Sequence, residues 1–121
     1  MDQPISPSRL LSRFVAYRAA LEAVERCRIA SAQWRGWASL RDQARRAAAS
    51  VAHNLAEGNG HPPGSAERAR YQRIALGSAL ELESALDIAG AAGLGCADDL
   101  AAAVAAAGRS AALCTGLTRR R

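Results

Sequence analysis

Helical periodicity runs through the whole of this chain, and it leaves little choice of fold. β-Branched and aromatic residues are few, and no stretch alternates apolar with polar residues for long, so strand signals are nearly absent. Apolar residues recur instead at steps of three and four. Leu10, Phe14, Tyr17, Leu21 and Val24 form one such stripe, and Ser6-Pro7 ahead of it reads as an N-cap with proline at the first helical position.

The punctuation between the stripes divides the chain into four helices. The first stripe stops near Ala30, and Gln33 to Trp37, with Gly36 inside, reads as a loop. Ser39-Leu40-Arg41-Asp42 resembles a capping box and opens a second helix, which Gly58 closes. Asn59-Gly60-His61-Pro62-Pro63-Gly64 is a connection. Ser65 caps a third helix that Gly93 and Gly95 end, and Asp98 and Asp99 lie in the first turn of a fourth, where they suit its dipole. The fourth stripe is Leu100, Val104, Ala107, Ala111 and Cys114. The predicted helices span about 7–31, 39–57, 65–92 and 97–117, followed by a basic tail at 118–121, all within one domain, 1–121. Similar lengths and short connections predict an all-α, up-and-down antiparallel four-helix bundle.

Composition narrows the function. With 121 residues, half of them apolar, the chain can bury one modest core. Met1-Asp2-Gln3-Pro4 has no signal-peptide character, and the longest strictly apolar run, Leu100 to Ala107, is too short to cross a bilayer, so a soluble cytoplasmic protein with no membrane partner is expected. Cys27, Cys96 and Cys114 are an odd set without a C-x-x-C pair, which suits small buried or half-buried thiols in a reducing compartment. Net charge is +5, and all sixteen basic residues are arginine. Arginine forks favour phosphate or carboxylate partners, nucleic acid first, although a GC-rich coding sequence would leave the same trace.

One polar stripe stands out on the second helix. Gln43, Arg46, Ser50, Asn54 and Glu57 follow at steps of three, four, four and three, a single narrow face. On the third helix Tyr71, Ile74, Leu82, Ala85, Ile88 and Ala92 read as the apolar stripe, with Ser78 and Glu81 inside it. A carboxylate in a core seam needs partners, so Arg46, Ser50, Asn54, Glu57, Ser78 and Glu81 are predicted to form a polar network that fixes helix register. The competing reading is a solvated stripe. A catalytic pair of Glu57 with Glu81, and a metal edge at His53 and Glu57 with His61 nearby, are weaker fits, because no second ligand pair completes a site. Gly58-x-Gly60 follows a helix, so it is no dinucleotide fingerprint, and a chain without lysine has no Walker motif. No cofactor, catalytic residue or small-molecule substrate is expected.

The run Gln43-Ala44-Arg45-Arg46-Ala47-Ala48-Ala49-Ser50-Val51-Ala52-His53-Asn54-Leu55-Ala56-Glu57-Gly58, followed by Arg70-Tyr71, Ile74-Ala75 and Gly77-Ser78-Ala79-Leu80-Glu81-Leu82-Glu83, resembles the four-helix-bundle proteins encoded in intervening sequences of bacterial 23S ribosomal RNA genes. The accessory variability determinant of diversity-generating retroelements is similar to the same family. The resemblance covers roughly residues 10 to 95. It departs at His61-Pro62-Pro63, where relatives usually carry arginine after the glycines, and at Tyr71, where phenylalanine is usual. What it implies is a bundle that assembles into a five-membered ring without enzymatic activity, and, from the accessory-determinant branch, a basic surface that meets nucleic acid and a reverse transcriptase.

Trp34 and Trp37 are expected to plug the open end of the bundle, or else to stack on a base. Arg41 and Arg45, one turn apart and away from the polar stripe, join Arg73, Arg119, Arg120 and Arg121 as candidate phosphate contacts. Three functions fit. The chain is an oligomeric scaffold binding structured RNA or a ribonucleoprotein, a protein–protein assembly module with no nucleic-acid ligand, or a metal-binding or enzymatic bundle.

Overall fold

The computed structural model describes residues 11 and 13–119. The expected start of the first helix at Ser6-Pro7, its stripe residue Leu10, and Arg120 and Arg121 lie outside the described residues. Four helices account for most of the rest: α1 (Val15–Ser31), α2 (Ala38–Asn59), α3 (Ala66–Ala91) and α4 (Ala97–Thr118). Each packs on its neighbour in sequence, and α1 also packs on α4, which leaves α1 and α3 diagonal across the bundle. The pairing is antiparallel: Ser50 meets Ser78 while Gly58, further along α2, meets Tyr71, earlier in α3. One pole therefore holds the 60–65 connection with the start of α1 and the end of α4. The other holds the 32–37 and 92–96 connections.

Local chemistry explains most of the boundaries. Ser65 caps α3, its Oγ accepting from the Arg68 backbone N–H at 3.2 Å, and Glu67, Asp98 and Asp99 place carboxylates at helix N-termini. Two expectations are corrected. Ser39 is not a cap, because α2 begins one residue earlier at Ala38, after Trp37, with no side-chain capping bond. Nor does Gly58 end α2, which continues to Asn59 with a right-handed cap at Gly60. Gly58 is a buried interior residue, and a β-carbon there would lie 3.2 Å from Tyr71 Cβ and 3.4 Å from the Arg68 carbonyl oxygen. Glycine at this position lets α2 and α3 approach closely.

Seventeen of the twenty-five buried apolar residues among those described are alanine, so the helices meet largely through methyl groups. A cluster around Trp34, Leu82 and Leu86 fills the bundle toward the 32–37 pole, and one around Val51, Leu55 and Cys114 fills it toward the other. Trp34 is fully buried and plugs its pole, whereas Trp37 remains exposed. Gly95 sits over Trp34 at φ +68°, where a β-carbon would meet the indole at 3.2 Å. α4 is long and apolar enough to cross a membrane by length and composition, and in the bundle it buries Ala103, Ala106, Ala107, Ser110, Ala111 and Cys114 against the other helices.

The stripe expected on α3 is rotated. Ala75, Ser78, Ala79, Leu82, Ala85, Leu86 and Ala89 are buried, whereas Ile74 and Ile88 are exposed. The closely packed core accepts alanine where the larger isoleucines would force the helices apart.

Candidate functional site

The six residues of the expected polar network divide into two sets. Ser50 and Ser78 share a hydroxyl–hydroxyl hydrogen bond of 2.8 Å across α2 and α3, and Asn54 Nδ2 donates to the Ser50 carbonyl at 2.8 Å and to Ser50 Oγ at 3.0 Å. The serine pair bridges the two helices, and Asn54 braces Ser50 from one turn further along α2. Arg46, Glu57 and Glu81 are exposed in the single chain. The buried face of α2, with Leu40, Ala44, Ala48, Val51 and Leu55, turns Arg46 and Glu57 outward, and the rotation of α3 does the same for Glu81. Arg46 and Glu81 flank the serine bridge along a shallow surface groove of about 260 Å³, while Glu57 lies 3.8 Å from His53 Nε2 one turn earlier. Glu57 and Glu81 are not brought together as a pair. Among the described residues, no group of three or more His, Cys, Asp or Glu side chains is placed to hold a metal ion.

The candidate phosphate contacts lie at opposite poles. Arg45 Nε donates to Ser31 Oγ at 2.9 Å and Nη2 to the Arg28 carbonyl at 3.4 Å, so this side chain ties α2 to the end of α1. Arg41 lies 3.8 Å from Asp42. Arg73 and Arg119 are exposed near the other pole.

Charge is unevenly spread along the bundle, which the order of residues in the sequence conceals. Within the eight helical residues nearest the 60–65 pole and the segments adjoining them, Arg13, Arg18, Arg68, Arg70, Arg73 and Arg119 face Glu22, Glu57 and Glu67. Glu22 is already ion-paired with Arg109, midway along α4. At the opposite pole five arginines meet five carboxylates, Glu25, Asp42, Asp87, Asp98 and Asp99, and cancel. The excess positive charge of the described residues thus collects at one end.

That end also carries ordered aromatic surface. His61 stacks on Tyr71 with ring centroids 5.5 Å apart and planes 14° from parallel, and the Arg70 guanidinium lies 5.6 Å from the Tyr71 ring centroid. Arg68 Nη1 donates to the His61 carbonyl at 3.2 Å, and Nη2 donates to Asn59 Oδ1, which pins the connection. Sequence reasoning missed this cluster, since Arg68, Arg70 and Tyr71 became neighbours of His61 only through the turn between the helices. The three thiols play no part in it: Cys27 and Cys114 are buried, and Cys96 is exposed at the start of α4. Burial pushes the Cys114 thiol up to about 11, and it raises Cys27 against the opposing influence of Arg45 and a hydrogen bond with Ser31.

An antiparallel bundle with a serine–serine bridge in one seam and a basic pole belongs to the all-α four-helix class. The chain is a member of the 23S rRNA-intervening sequence protein family, whose defining sequence pattern matches residues 13–111. Comparison with curated proteins gives no match.

Proposed function

We propose that this protein is a non-enzymatic scaffold of the cytoplasm, which assembles with copies of itself into a ring and meets structured RNA or a ribonucleoprotein through arginine-rich surface. The observation that carries the reading is an inversion of size: alanine fills the core, while Val15, Leu21, Trp37, Ile74, Leu80, Ile88 and Val104 are exposed. Large apolar side chains left outside a methyl-lined core are surface available for a partner. Ile74, Leu80 and Ile88 lie on α3 and, across the diagonal, Val15 and Leu21 lie on α1, while Val104 of α4 borders α3 and Trp37 sits at the 32–37 pole. Two different apolar faces on opposite sides of a subunit suit head-to-tail contacts, which close into rings, better than the single self-complementary patch of a two-fold dimer. The resemblance described above favours five copies, with a reverse transcriptase as one candidate partner. Light scattering is expected to give an oligomer that Ile74→Asp with Ile88→Asp dissociates without loss of helicity; a wild-type monomer at micromolar concentration refutes the assembly.

A second reading, assembly without a nucleic-acid ligand, draws on Arg41, Arg45 and Arg109, each engaged within the chain. RNA retention that falls steeply with salt separates the two.

A further inference from the structure

We infer that the pole formed by the α2–α3 connection, the start of α1 and the end of α4 is where an unpaired stretch of RNA docks, with its phosphates on Arg70, Arg73 and Arg119 and a base against the His61–Tyr71 stack. The inference rests on the proposed RNA-binding reading and adds the place and the strandedness of the ligand. Three observations meet there. The first is charge: this pole holds the arginine excess, whereas the opposite pole is balanced, so a polyanion is drawn to one end of the bundle.

The second is a stacking platform that is already ordered. Tyr71 is seated where Gly58 lets α2 approach it, Pro62 and Pro63 restrict the connection, and Arg68 holds the His61 carbonyl. A platform fixed before binding loses little freedom when a base stacks on it. The third is space, a cleft of about 540 Å³ at the same pole, lined by Pro63, Gly64, Ser65, Gln72, Leu117 and the Arg68 that holds the His61 carbonyl, within the size range of small-ligand clefts. Duplex RNA hides its base faces, so a ring stack set among arginines suits unpaired nucleotides. An acidic peptide would use the arginines but not the rings.

The test is fluorescence anisotropy of the full chain with a labelled single-stranded oligoribonucleotide, and with its duplex, across a salt series. Arg70→Ser with Arg73→Ser is expected to weaken single-strand binding tenfold or more and to flatten the salt slope by about 1.4, since each phosphate contact on a single strand contributes about 0.7. Arg26→Ser with Arg35→Ser removes the same charge from the opposite pole and is expected to change affinity less than twofold. His61→Ala is expected to lower the preference for single strand over duplex. Equal losses from the two arginine pairs overturn the location while leaving RNA binding intact, and an unchanged His61→Ala preference overturns the stacking. Competition by polyglutamate as strong as by unlabelled RNA overturns the ligand class. No complex of the wild-type chain with either RNA at low salt defeats the RNA-binding reading itself. All four substituted side chains of the arginine variants are exposed, and unchanged circular dichroism confirms that the variants fold.

Discussion

Replacing Gly58 with alanine sets two effects of similar size against each other. Glycine inside a helix is less favourable than alanine by about 0.8–1 kcal/mol, so Gly58→Ala gains that much from the backbone alone. The new β-carbon, however, would lie 3.2 Å from Tyr71 Cβ and 3.4 Å from the Arg68 carbonyl oxygen. Neither is the free end of a flexible side chain, so neither can swing away, and α2 and α3 must part by a few tenths of an ångström. Inserting a methylene into packed surroundings costs about 1–3 kcal/mol. The balance is a net loss of about 1 kcal/mol. Gly77→Ala is the control: Gly77 lies inside α3 and a β-carbon there would meet nothing within 4 Å beyond the helix's own adjoining backbone, so it keeps the helical gain of about 0.5–1 kcal/mol. Urea denaturation followed by far-UV circular dichroism, at a concentration where all variants share one oligomeric state, is expected to separate the two by about 2 kcal/mol with unchanged m values. Equal stabilisation by both substitutions would refute the close approach.

Ser78→Ala removes the hydroxyl that bridges to α2 and is expected to cost about 1 kcal/mol in the same assay, whereas exposed Arg46→Ala costs about 0.5 kcal/mol or less. A loss at Arg46 as large as at Ser78 would mean that the guanidinium is held in a buried network. The Cys114 thiol, at about 11 in the fold against 9.0 for the free group, favours the neutral form. Its contribution is complete below pH 9 and is lost as pH rises toward 11, because the unfolded thiol then releases its proton first; the loss is about 2–3 kcal/mol. Cys114→Ala is expected to be insensitive to this component, so parallel stability–pH curves for the two proteins count against the burial argument.

The four helices were legible because their signals are local. Ser65, Gly93, Gly95, Asp98 and Asp99 punctuate the chain by backbone chemistry that does not depend on the tertiary neighbours. The rotation of α3 was not legible, because periodicity weighs Ile74 and Ile88 above Ala75 and Ala79, and only the helix spacing reveals that the core is made for methyl groups. The serine bridge and the Asn54 that braces it were half visible: the spacing of Ser50 and Asn54 marks one face, but whether Arg46 and Glu81 are enclosed depends on a rotation that spacing leaves open. Gly58 read as a helix end because glycine commonly serves there, and its part in letting helices meet appears only when Tyr71 is placed opposite. The basic pole was invisible for a similar reason. Arg13, Arg70 and Arg119 are far apart along the chain and converge through antiparallel packing.

An alanine core also shapes how the fold responds to temperature. Alanine freezes almost no side-chain freedom on folding and removes little apolar surface from water per residue. The heat-capacity increment of unfolding follows apolar surface, so for the isolated subunit it should fall below the usual 12–15 cal/mol/K per residue and give a shallow, broad stability curve. Surface covered between copies would add the missing apolar area. Calorimetry at dissociating and associating concentrations would therefore record two curvatures for one chain, the steeper belonging to the state in which the outward-facing isoleucines are covered.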